Sequence, residues 1–193
     1  MAADGDAHDD EPESDDRESN AEIQVRRRVA LSQIRQYPDA VLRMRANEVD
    51  RFDETLARLA ARMTDLMHDA RGVGLAATQV GVLQRLFVFQ PHEEDESQAI
   101  VNPQITARSD DLESGDEGCL SLQGVHVPVD RHVTITLEGV DLEGKPLRLE
   151  LEEMPARVAQ HELDHLDGTL IIERTDAGSR REALATLRRN PSL

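Results

Sequence analysis

The 193-residue chain contains a single cysteine, Cys119, so no disulfide can form within it. A thiol that must act as a thiolate survives best in a reducing compartment, and the expected location is cytoplasmic. No apolar run approaches the roughly 20 residues that span a bilayer, and no charged-then-apolar secretory leader is found. Cations are also scarce: 22 Lys and Arg face 39 Asp and Glu, for a net charge of -17. That balance favours solubility and gives no support to binding nucleic acid or an anionic membrane surface. Internal repeats are absent as well.

About half of the net charge is concentrated at the start, where nine acidic residues and one arginine precede Ser19. Residues 1–20 carry Gly5 and Pro12 and, after Met1, no apolar side chain larger than alanine. They cannot offset the entropy of their own ordering, so a disordered solubilising tail is expected. Residues 21–193 are long enough for one domain with a proper core.

Two histidines four residues apart dominate what is present. In Gln160-His161-Glu162-Leu163-Asp164-His165, helical geometry puts both imidazoles on one face, about 5–6 Å apart at Cβ. They can then share a metal ion, and the adjacent Glu162 can take a proton from a water bound there. The bland alternative is a solvated helix that happens to carry both. One more protein ligand is needed if a position is to stay open for water or substrate, and Cys119 is the natural candidate. It follows Gly118 in Glu117-Gly118-Cys119-Leu120-Ser121, where the backbone can bend.

The remaining segments read as follows. Residues 23–34, including Arg26-Arg27-Arg28, form a short helix or an irregular approach, with the arginines on a solvated face. Phe52, Leu56, Leu59, Ala60, Met63 and Met67 recur at intervals of three and four, a helical stripe capped by Asp50 and ended near Ala70, with Gly72 available for a left-handed cap. The stretch Gly72-Val73-Gly74-Leu75-Ala76-Ala77-Thr78-Gln79 admits the close approach of another backbone, and Gln79 supplies an amide donor and a carbonyl acceptor. Residues 85–90 and 99–101 read as strands, the second ended by Asn102-Pro103, and 108–115 as a polar turn. Residues 132–138 and 147–151 form an antiparallel hairpin. A helix with Pro155 in its first turn carries the histidines and ends at Gly168, and a last helix begins at Ser179. The expected class is α+β, with antiparallel strands packed around a central metal-binding helix.

Taken together, three stretches resemble the peptide deformylase family: Gly72 to Gln79, Glu117 to Ser121, and His161 to His165. The resemblance runs from about Ile34 through Ile172. It implies a single catalytic domain that removes the N-formyl group from the initiator methionine of nascent bacterial or organellar polypeptides, as a monomer working near the ribosome. By motif match, Cys119, His161 and His165 bind the metal and Glu162 handles the proton. Gln79 and the backbone N–H of Leu120 face the developing oxyanion. Ferrous iron is the usual ion, with zinc, nickel or cobalt able to replace it. The residues themselves add that Met154 and Val158, beside the ligands on the same helix, line a pocket for the methionine side chain or belong to ordinary core. Backbone groups near Val73, Gly74 and Gly118 receive the rest of the peptide.

The chain departs from the family pattern after Ser121: Gln123 stands where proline is frequent, and His126 where an arginine is common. Ala40, where proline is frequent, is a minor departure. These leave room for a second reading, a catalytically weak or inactive deformylase-like protein that binds metal and peptide. A metal peptidase is disfavoured, because neither a distal glutamate ligand nor a further histidine at the usual downstream spacing is present.

Overall fold

The computed structural model of the chain describes residues 19–92 and 94–189. The acidic stretch 1–18 lies outside them. Helix α1 (Asn20–Ser32) starts at the last residue of the expected tail. Ser19 Oγ accepts from Glu22 N while Glu22 accepts from Ser19 N at 2.9 Å, a reciprocal cap that fixes this start. Arg26, Arg27 and Arg28 all lie on this helix.

Helix α2 (Glu54–Asp69) is capped by Asp53, which accepts from Thr55 N at 2.9 Å and Leu56 N at 3.2 Å. Asp50 is therefore not the cap, and Phe52 falls outside the helical stripe and packs against Gly144 instead. Leu56, Ala60, Met63, Leu66 and Met67 are buried, each large side chain contributing about 1.5–3 kcal/mol of transfer free energy. The left-handed residue after α2 is Arg71, at φ 58°, not Gly72.

Strands β1 (Gly74–Ala76), β2 (Leu86–Phe89) and β3 (Gln98–Arg108) follow, then β4 (Leu112–Gly118), β5 (His126–His132), β6 (Thr134–Val140) and β7 (Pro146–Glu152). Five of them form an antiparallel sheet in the order β1-β2-β3-β6-β7, while β4 and β5 pair separately. The apolar run Leu86-Phe87-Val88-Phe89 is buried on both sheet faces. Leu86 and Val88 pack with α2, and Phe87 and Phe89 with helix α3 (Glu153–Leu166).

Two expectations about strands are corrected. Asn102-Pro103 does not end β3; the strand continues past it through a register shift, with Asn102 at φ 51° and its amide holding Val49 from both sides. The supposed polar turn at 108–115 is the end of β3 and most of β4, whose polar side chains reflect its exposure. A third apolar cluster joins β5 to residues 170–172 and to helix α4 (Ala177–Arg189). Ile171–Glu173 form a 3₁₀ turn with Leu170 as its cap, and α4 starts two residues ahead of Ser179 because Asp176 accepts from Gly178 N and Ser179 N.

The architecture is thus α+β, with antiparallel strands around α3, which is buried along nearly its whole length. Among the described residues no helix is long and apolar enough to cross a membrane.

Candidate metal centre and cleft

Helix α3 delivers His161 and His165 to the inner end of a cleft between two strand ends. The ring centroids are 4.9 Å apart, as spacing of one helical turn dictates. Opposite them the chain leaves β4 at Gly118 and turns, which carries Cys119 inward: its Sγ lies 3.2 Å from His165 Nε2. One nitrogen from each imidazole and the sulfur all fall within 4.8 Å of one another. Ser121 N points at the same sulfur from 3.4 Å.

Two nitrogens and a thiolate suit a divalent transition metal, and their convergence in a buried corner fits one. A further observation supports the fit. Buried Glu162 Oε2 has no hydrogen-bond partner in the protein, an expensive state for a closed apolar core but an apt one beside an ion's water; His165 Nδ1, on the ring side away from the sulfur, is unpartnered as well.

The surroundings of His161 are heavily charged. Its Nδ1 lies 2.9 Å from Glu117 Oε2. Arg131 grips both oxygens of that carboxylate at 2.8 and 2.9 Å, Arg157 adds a bond at 3.0 Å, and Arg131 also reaches Asp164 at 2.6 Å. Burial alone would raise the Glu117 carboxyl, but the Arg131 guanidinium, with His161, overrides it and holds it at about 2. A permanent anion behind His161 fixes the ring and makes it a stronger ligand. Glu162 has no such clamp, and burial pushes its carboxyl up to about 7. A carboxyl there can accept and return a proton near neutral pH.

Gln79 sits in the 3₁₀ turn after β1 (Ala77–Val80). Its Oε1 accepts from Ala76 N at 2.8 Å, which turns the amide NH₂ toward Ser121 Oγ at 3.1 Å and Cys119 Sγ at 3.7 Å. The backbone N–H of Leu120 has no acceptor among the described residues, while its carbonyl is held by Gln36 Nε2 at 2.9 Å. The Gln79 amide therefore stands next to the sulfur, and the residue after the cysteine carries a backbone donor without an acceptor.

The cleft encloses about 470 Å³ and is lined by Val73, Gly74, Gly118, Leu120, Met154 and Val158 together with Gln79, Cys119, His161 and Glu162. Every residue singled out from the sequence borders it except His165, which lies deeper, 1% exposed. Met154 is exposed and Val158 buried, so the two stand at different depths of one wall. His126 faces Gly118 across the β4-β5 ladder, where a Cβ on Gly118 would lie 2.8 Å from its Nε2.

The clamp of Arg131, Arg157 and Asp164 went unread in the sequence. One signal existed: β5 alternates buried Val127 and Val129 with exposed residues, and the next inward position is Arg131. A charge on an inward-facing position needs a buried counter-charge.

Fold and site define an α+β protein with a cysteine and two histidines gathered at a candidate metal centre. Comparisons with known proteins narrow that class. The model of the family described as polypeptide deformylase matches residues 31–181. Peptide deformylase 1 of Corynebacterium glutamicum is 43% identical over 162 residues, 83% of this chain and 96% of the relative. A peptide deformylase of Clostridium botulinum is 44% identical over 147 residues, 76% of this chain and 98% of the relative. Among solved structures, a peptide deformylase from Legionella pneumophila superposes with a TM-score of 0.77 at 39% identity, covering 81% of this chain and 92% of that one. One from Synechococcus elongatus, in complex with actinonin, gives 0.76 at 36% identity over 79% and 85%. The chain belongs to the peptide deformylase family.

Proposed function

We propose that this protein hydrolyses the N-formyl group of the formylmethionine that begins nascent polypeptides, releasing formate and a free amine. The observation that carries the reading is the convergence of unpaired, buried Glu162 on the Cys119, His161 and His165 cluster, with Gln79 and Leu120 N–H donors at its edge.

Cys119, His161 and His165 hold the ion, proposed as ferrous iron, with Zn2+, Ni2+ or Co2+ able to take the same ligands. When bound, a divalent ion supplies Lewis acidity to the formyl oxygen and makes an attacking water acidic enough to ionise near neutral pH. Glu162 accepts that water's proton and passes it to the leaving amine. Gln79 Nε2 and Leu120 N–H donate to the oxygen on which negative charge develops, so their bonds strengthen as the barrier is climbed. Glu117, clamped by Arg131, keeps His161 in place.

The peptide lies extended between the free edge of β1 and the end of β4, meeting backbone groups at Val73, Gly74 and Gly118. Recognition through backbone suits an enzyme whose substrates share only their first residue. Met154 and Val158 form the wall for the methionine side chain. The protein is proposed to act as a cytoplasmic monomer on chains emerging from the ribosome.

The test is anaerobic formate release from formyl-Met-Ala-Ser by Fe(II)-loaded protein, with metal content measured on the same sample and Glu162→Ala as control. Release that disappears in the variant while metal stays bound supports the proposal. Fully metallated, folded protein that binds the peptide and releases nothing supports the binding-only alternative, to which Gln123 and His126 lend their weight.

A further inference from the structure

Two arginines outside the buried Glu117 clamp line the cleft of a protein that is otherwise strongly acidic, with exposed Asp116 the acidic side chain nearest to solvent on the same lining. Arg27 and Arg71 both line it, beside Gly72 and Leu31. Arg27 lies one helical turn from Leu31 on the same face of α1, ahead of the residues that the family model matches. Its Nε donates to Ala70 O at 3.3 Å, which pins the half-buried side chain against the end of α2. Arg71 is exposed and takes the left-handed conformation, φ 58°, that glycine would adopt without strain. Neither guanidinium has a carboxylate partner among the described residues.

We infer that Arg27 and Arg71 form a subsite that favours formylated peptides with acidic side chains at their third and fourth residues. The inference rests on the deformylase reading for what occupies the cleft. Gly74 marks the catalytic end, because it packs directly on Glu162. Arg71 lies three residues upstream, and an extended peptide laid antiparallel to 72–74 advances about 3.3 Å per residue. Residues 71–73 turn out of α2 ahead of β1, so the long side chains of Arg71 and Arg27 are assigned to the peptide positions beyond its second residue. A net charge of -17 repels acidic peptides at long range, and the two guanidiniums on the cleft lining supply local charge of opposite sign. Two guanidiniums free of internal carboxylates can accept a ligand's carboxylate without first breaking an ion pair.

The experiment compares formyl-Met-Ala-Glu-Glu with formyl-Met-Ala-Gln-Gln. For Fe(II)-loaded wild type the ratio of kcat/KM values is expected to favour the acidic peptide by about fivefold at low salt and to shrink toward one as ionic strength rises. Arg71→Glu, a change at an exposed side chain with no internal bond, is expected to invert the ratio, and Arg27→Glu to do the same. Kd values for both peptides on metal-loaded Glu162→Gln protein give the preference without turnover. A wild-type ratio of one, or a preference unmoved by Arg71→Glu, overturns the subsite. Absence of formate from both peptides overturns the deformylase reading instead, and the Kd ratio then still decides the subsite.

Discussion

Gly74 and Glu162 compete for one volume: a Cβ built on Gly74 would sit 2.9 Å from both Cγ and Cδ of Glu162 and closer still to Oε1. The glycine is required by the proximity of the Glu162 carboxylate, since its backbone has an ordinary strand conformation. Strand β1 thereby packs on Glu162 while its side away from β2 is the free edge of the sheet.

Gly74→Ala is therefore expected to displace Glu162 by several tenths of an ångström or more. Misplacement on the order of 1 Å can reduce a rate about 100-fold. The expected result is a loss of formate release near that size, with metal content and circular dichroism unchanged. An alanine variant with wild-type kcat would show that Glu162 is not held by this contact.

Gln79→Ala removes an amide that is aimed by Ala76 N and placed beside Cys119 Sγ. Loss of one donor to a developing oxyanion typically lowers kcat about 100- to 1000-fold. Steady-state kinetics should show that fall mostly in kcat, with KM little altered, because the bond matters in the transition state. A change confined to KM would reassign Gln79 to ground-state binding.

Glu117→Gln leaves Arg131 and Arg157 buried with part of their counter-charge gone. Breaking a buried ion pair from one side costs about 3–5 kcal/mol, and loss of a carboxylate behind a metal-binding histidine costs roughly 10- to 100-fold in metal affinity. Urea unfolding and a metal titration should register both effects together. Unchanged stability would mean that Asp164, which Arg131 also reaches, suffices for the pair.

What could be read from the sequence follows from how local each signal is. His161 and His165 are linked by the pitch of one helix, and the apolar run 86–89 is buried on both faces, so residue type alone carried the histidine pair and strand β2. Strand β4, Leu-Glu-Ser-Gly-Asp-Glu-Gly, has almost no apolar residue; it is a strand because β5 pairs with it along its full length. The same applies to β3 beyond Pro103, which the neighbouring β6 holds in register. Phe52 was misplaced by one turn because a helical period extends naturally past a cap, and Asp53 provides a cap as good as Asp50. The clamp on Glu117 draws on residues up to 47 positions apart in sequence, from Glu117 to Asp164, and no local pattern joins them.

Removing the metal offers a test that does not depend on turnover. A ligand bound only by the folded state stabilises it by about 2.7 kcal/mol at 100 times Kd and about 4.1 at 1000 times. Chelation is therefore expected to lower Tm by several degrees, with recovery on adding Fe(II) or Zn(II) anaerobically. The apoprotein should remain folded, because the buried members of the three apolar clusters include none of the ligands, and Cys119 packs only on the margin of the third. Cobalt-loaded protein should show a thiolate charge-transfer absorption that Cys119→Ser lacks, while His165→Ala should lose the ion altogether. If Cys119→Ser keeps that absorption, the sulfur is not a ligand, and its 3.2 Å approach to His165 Nε2 is a hydrogen bond of the apoprotein alone.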